Sequence, residues 1–277
     1  MTSLSLPVAE PRARFRDPLA AEWLKFWSLR STPWFLLLAA LAVVGFNAGS
    51  AWDHYRYWHQ YDARTRANFV ADGMPLLDAF TANGALILML ATSAVGALAV
   101  TGEYGSGSIR TTFAAVPARG SVTAAKVCVL AVVLTGFGAL VAAVSFWSSQ
   151  AILSARDAGV SIDHPGAARL VVASALLAPV SGLVGAALGA VVRHSATAVI
   201  CAVVTLPLLP TFFSERRHWS ATVAHAMPFP AWQELTRTVD WVTVPYPMTV
   251  GGAWTVYVVW AAVAAAVTVV AVLRRDQ

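Results

Sequence analysis

Six apolar runs, each about 20 residues long, decide what this chain can become. They cover roughly 33–52, 80–101, 124–147, 168–192, 195–213 and 250–273. A helix of about 20 apolar residues crosses about 30 Å of hydrocarbon. The pattern therefore predicts an all-α integral membrane protein with six transmembrane helices. The fourth and fifth runs are separated only by a tight turn at Arg193 and His194. Composition points the same way: 58% of the 277 residues are hydrophobic and 12% are charged, about half the charge of a soluble domain. No cleavable signal peptide is visible, because the first 32 residues are polar or amphipathic.

Orientation follows from the Lys/Arg bias. With the N-terminus inside, the inner segments hold eleven of the basic residues and the outer loops eight, while nine of the fourteen acidic residues fall outside. Both termini are expected in the cytoplasm of a bacterial cell membrane. The Arg-rich, Ala- and Val-rich composition suits a GC-rich bacterial genome. The net charge of +5 reads as a topology signal, since no basic cluster exists away from the membrane flanks to suggest nucleic-acid binding.

Residues 1–16 read as a flexible basic tail, 17–32 as an interfacial amphipathic helix and 33–277 as the six-span domain. Asp17-Pro18 provides an N-cap followed by Pro at the first helical position. Leu19, Trp23, Phe26 and Trp27 share one face of that helix, and Glu22, Lys25 and Ser28 the other. Such a helix lies on a leaflet with Trp at headgroup depth, with Arg30 near its end and Pro33 marking a break before the first span. Asp53, His54, His59 and Asp62, in the first outer loop, have no standard metal-site spacing and read as solvated. Ser181, Gly185 and Gly189, beside Gly182, Ala186 and Ala190, form small-residue ridges. These let helices approach closely in lipid, within one subunit or across a dimer seam. In the last outer loop "FPAWQELTRTVDWV" reads as a short helix after Pro230, with Trp232, Leu235 and Val239 on one stripe.

Several chemistries find no footing. Between their ends the spans hold no Asp, Glu, Arg or His, the usual mark of ion relays. There is no Gly-x-Ser-Gly nucleophile, no HExxH and no Walker A sequence. The chain is expected to be no enzyme, to carry no metal and no cofactor, and not to hydrolyse ATP by itself.

Two stretches nevertheless have the look of a known family. "AEWLKFWSLRSTPW" (Ala21 to Trp34) and "EYGSGSIRTTFAAVPARGSVTAAK" (Glu103 to Lys126) resemble the motifs of permease subunits of ABC-2 type transporters, the short six-span actinobacterial kind. The six-span layout is similar over nearly the whole chain, the specific motifs over about 40 residues. The resemblance implies a permease subunit of an ATP-binding-cassette transporter, an exporter, working as a homodimer or with a paired permease. ATP and Mg would be held by a separate cytoplasmic ATPase. The alternatives are a non-transporting membrane anchor or regulatory subunit, and an intramembrane enzyme of unknown type.

On this reading the segment from Gly102 to Gly120 is the ATPase-coupling element, with Glu103, Tyr104, Gly107, Ile109, Arg110, Phe113, Pro117 and Arg119 as its working residues. Gly102, Gly105 and Gly107 are joints. "SIRTTFAAV" is expected to be a short helix whose Ile109, Phe113 and Val116 plug a groove on the partner, ended by Pro117. Glu103 is expected to pair with Arg110 or with an Arg of the ATPase, and Arg119 and Lys126 to anchor the return at the headgroups. The interfacial helix contributes Trp23, Lys25, Phe26, Trp27 and Arg30. Polar residues expected to line a path are Asn47, Asn83, Thr92, Ser93, Ser145 and Thr205.

Overall fold

The computed structural model describes residues 14–106, 119–239 and 245–275. Among them there is no strand. Six helices are long and apolar enough to cross a membrane: Ser31–Gln60, Met74–Gly105, Arg119–Ser154, Ala167–Val192, Ser195–Phe212 and Val250–Arg274. Each contains its predicted apolar run or nearly all of it, but several continue well past it. The third runs 36 residues, from Arg119 to Ser154, so its two ends stand beyond any hydrocarbon slab of about 30 Å.

The fourth span is the hub, packed against the second, third, fifth and sixth. Its small residues explain why. A Cβ added at Gly185 would come within 1.9 Å of the Ser93 carbonyl oxygen, and one added at Gly96 within 1.8 Å of the Gly182 oxygen. The second and fourth spans therefore touch backbone to backbone. Ser181, Gly182, Gly185, Ala186, Gly189 and Ala190 are all buried inside the subunit. The ridges pack within the protomer and are not left over for a dimer seam. Pro179 lies inside this helix and has no N–H for the carbonyl four residues earlier. That carbonyl, Ala175, faces Gly138 of the third span so closely that a Cβ there would sit 2.1 Å from it.

The turn between the fourth and fifth spans falls where predicted. Arg193 closes the fourth in the left-handed region at φ 59°, and the His194 ring accepts from the Thr197 N–H to open the fifth. The fifth span is irregular over Val204–Phe212, around Pro207 and Pro210. The last loop's helix runs Pro228–Leu235, starting before Pro230 and ending before Val239. Trp232 and Leu235 are buried.

The first span's helix continues to Tyr57, followed by Ala63–Ala71 and Met74–Ala79. Asp62 caps Ala63–Ala71, accepting from the Thr65 N–H at 2.6 Å. That bond holds its carboxyl below the usual carboxylate range. His54 is not a solvated loop residue: its Nδ1 lies 2.7 Å from Asp78 Oδ2, and Ser50 Oγ donates to Asp78 Oδ1 at 2.7 Å. The helix carries His54 inward because the first span outlasts its apolar run.

Candidate functional site

The N-terminal helix covers Arg16–Ser28 and ends at Leu29, whose backbone turns extended. The break comes four residues before Pro33, which sits in the first turn of the next helix, Ser31–Tyr57. Phe26 tucks into a small apolar cluster with Val100, Leu130, Ala186, Ala190 and Val272. Trp23 and Trp27 point outward, their rings 6.0 Å apart, and Arg30 is exposed. The face that carries Glu22 and Lys25 is therefore the one turned towards the bundle, not towards water.

There it meets the two ends of the loop between the second and third spans. Lys25 Nζ donates to Glu22 Oε1 at 2.8 Å and to Glu103 Oε1 at 3.1 Å. Lys126 Nζ donates to Glu103 Oε1 at 2.9 Å and also to Glu22 Oε2. Two lysines and two glutamates from three helices thus meet in one cluster. The carboxylate of Glu22 is 3% exposed and that of Glu103 17%, against 12% and 38% for the ammonium side chains of Lys126 and Lys25. Burial pushes the Lys25 ammonium down, but Glu22 and Glu103 outweigh it and hold it above the ordinary lysine value.

Lys25 and Lys126 are the chain's only lysines, and both stand in this cluster. Their geometry corrects one expectation: Lys126 turns inward to Glu22 and Glu103 instead of snorkelling to headgroups. Glu103 meets Lys25 and Lys126, and Arg110, one of its expected partners, lies outside the described residues. An ammonium has three rotatable donors, so each lysine can serve both carboxylates at once. Beside the cluster, the Arg193 guanidinium lies over the Tyr104 ring at 4.7 Å. Arg119 is the first residue of the third span. Gly107, Ile109, Arg110, Phe113 and Pro117, with the short helix predicted there, lie outside the described residues.

The six expected path residues do not form one lining. Thr92 and Ser93 are buried in the second span and bond back to the Leu88 and Leu90 carbonyls of their own helix. Asn83 is exposed and Thr205 half-buried on the peripheral fifth span. Only Asn47 and Ser145 come together, at the opposite end of the bundle from the charge cluster. Asn47 Nδ2 donates to Ser145 Oγ at 3.0 Å, while its Oδ1 accepts from Thr81 N at 3.1 Å and Thr81 Oγ1 at 2.8 Å. They border a cavity of about 20 Å³ with Gly84, Ser174 and Trp232. Nearby, Gln150 Nε2 donates to the Pro75 carbonyl and its Oε1 accepts from the Val160 N–H, both at 2.8 Å.

Sequence reading missed Glu22 as a buried ion, as well as Asp78, Thr81 and Gln150. The lone pair of lysines, each in a family-like motif, was the signal that could have joined Lys25 to Lys126. No protein-family model matches the chain, and no curated protein is similar to it in sequence.

Proposed function

We propose that this chain is the membrane-spanning permease subunit of an ATP-binding-cassette exporter of the ABC-2 type, driven by a separate cytoplasmic ATPase that holds ATP and Mg. Both termini and the Gly102–Gly120 segment then face the cytoplasm. The chain works as a dimer with itself or with a paired permease.

One observation carries the reading: Glu103 and Lys126, on the second and third spans that flank that segment, are bonded to each other and to Glu22 and Lys25 of the N-terminal helix. A push on the loop at its ATPase-facing tip moves both spans. The cluster transmits it to the interfacial helix, whose Trp23 and Trp27 lie at the headgroups. Energy arrives from the partner, so the span interiors need no ion relay. Because each lysine touches both carboxylates, the three helices can shift while every charge keeps a partner.

The chain is purified in mild detergent from the membranes of its own cells and photolabelled with 8-azido-ATP. A second, nucleotide-binding polypeptide should copurify and take the label, and Ile109→Asp should lose it while leaving membrane insertion intact. A wild-type preparation free of any such subunit would overturn the reading in favour of an anchor.

A further inference from the structure

Two strings of hydrogen bonds end at the small cavity bordered by Asn47, Ser145, Ser174 and Trp232. The first runs from Thr81 Oγ1 to Asn47 Oδ1 and from Asn47 Nδ2 to Ser145 Oγ. The second runs from Trp232 Nε1 to Ser174 Oγ at 3.1 Å. The first string belongs to the first three spans, the second to the fourth span and the helix Pro228–Leu235. We propose that one water molecule is bound in this cavity and joins the two strings.

The direction of each bond decides what is left over. The Thr81 N–H can only donate, so the Asn47 atom that accepts from it at 3.1 Å is the carbonyl oxygen. The other Asn47 atom is then the NH2, and Ser145 Oγ accepts from it. An indole N–H is a donor only, so Ser174 Oγ accepts as well. A serine hydroxyl carries one hydrogen and two lone pairs. Each of these two has used one lone pair and keeps its hydrogen and the other lone pair. Among the described residues neither hydrogen has an acceptor. Elsewhere in the spans the Thr92 and Thr101 hydroxyls donate to carbonyls of their own helix, an outlet these two serines do not use.

Water is the molecule that fits. The cavity holds about 20 Å³, enough for one water at about 10–15 Å³ and far below the roughly 300 Å³ at which ligand pockets begin. Asn47, Ser145, Ser174 and Trp232 are 2%, 1%, 6% and 3% exposed, so bulk solvent does not serve these hydroxyls, and a buried donor left unmet is costly. A water can accept from one serine and donate to the remaining lone pair of the other. The second hydrogen of the Asn47 amide, on the same wall, offers a third partner, the usual number for a buried water. Leu88 and Leu177 belong to the apolar part of the wall, which keeps the water at the hydroxyls. With it in place, the helix Pro228–Leu235 is tied to the first span through one continuous string. The bridge needs neither an ATPase partner nor transport.

The test uses the full chain in lipid nanodiscs. A short X-ray pulse makes hydroxyl radicals from water where it stands, and mass spectrometry reads the oxidised side chains. Leu88 and Leu177, 4% and 0% exposed, should be oxidised several-fold more than Leu130 and Leu134, which are 1% and 0% exposed and do not border the cavity. Ala142→Val puts two methyl groups into the space from the third span and leaves every donor in place. It should bring Leu88 and Leu177 down to the level of the other two, and Ala85→Val should do the same from the second span. Equal oxidation of all four leucines in the parent, or oxidation of Leu88 and Leu177 that survives both fillings, would overturn the assignment.

Discussion

Three helices meet through Glu22, Lys25, Glu103 and Lys126 at one end of the bundle. At the other end the spans meet through buried amides: Asn47 joins Thr81 and Ser145, and Gln150 joins the Pro75 carbonyl to the Val160 N–H. An amide has one carbonyl and one NH2 in a plane, so each bond it makes fixes the direction of the others. That end is specified as a single geometry. In the charge cluster, each cation touches both anions, and the attraction depends on distance more than on angle. Such a joint keeps its charges compensated while its helices slide. A protein that must hold one end of its spans and move the other would place the two chemistries this way round.

Removing one ion should have the largest effect. Glu22→Ala leaves Lys126 with one carboxylate in a nearly closed site, and breaking a buried pair costs about 3–5 kcal/mol. We expect a large fall in thermal stability in detergent, with faster amide exchange over 16–28. Glu22→Gln combined with Lys126→Gln should recover much of it, because no uncompensated charge remains. If the single variant is as stable as the parent, the cluster holds nothing and the contrast between the two ends collapses.

Next in size comes the amide end. Asn47→Leu deprives Thr81 and Ser145 of their partner, and stranded buried polar groups cost about 1–3 kcal/mol each. Exchange should quicken at the start of the second span and not over 16–28. Gly84→Ala should act at the same place more mildly, by about 1–2 kcal/mol, since its Cβ would meet Asn47 Oδ1 at 2.5 Å and the amide must tilt away. Combining it with Asn47→Leu should add less than the sum, as for neighbours sharing one interaction. Full additivity would separate Gly84 from the network.

How much of this could be read beforehand depends on what each feature needs. A span announces itself as an unbroken apolar run, so all six were legible, as was the turn at Arg193 and His194. Span ends were less so, because a helix continues on its own hydrogen bonds after its side chains turn polar. His54 lies beyond the apolar run and for that reason is carried to Asp78 on the extended first helix. The sequence of the N-terminal helix divides into a polar and an aromatic face, but the structure does not bury it along that division. Trp23 and Trp27 face outward and Ser28 is exposed, while Glu22, Lys25 and Phe26 turn towards the bundle. Glu103 was singled out by its isolation in the sequence. Its partners Lys126 and Lys25 lie 23 and 78 residues away, and no local pattern names those two. The small-residue ridges were legible as a packing device, and only their burial against the second and third spans decides that they are used inside the protomer.

The smallest effect is expected at Lys25. It shares both carboxylates with Lys126 and is the most exposed member of the cluster, 38% against 12%. Solvent screens such a group, so Lys25→Gln should cost no more than about 1 kcal/mol. Its pH dependence is the sharper measurement. The Lys25 pKa is raised above the ordinary 10.5, the pull of Glu22 and Glu103 outweighing the cost of burial. A group whose folded pKa lies above its unfolded value contributes its full stability below the unfolded value and loses it as pH rises through the folded one. The difference in melting temperature between parent and Lys25→Gln should therefore be flat from about pH 6 to about pH 9 and shrink only in stronger base. A difference that already fades near neutrality would mean that burial wins over the two carboxylates. The cluster would then be held by Lys126 alone, and the N-terminal helix would be tied to the loop by a single ammonium.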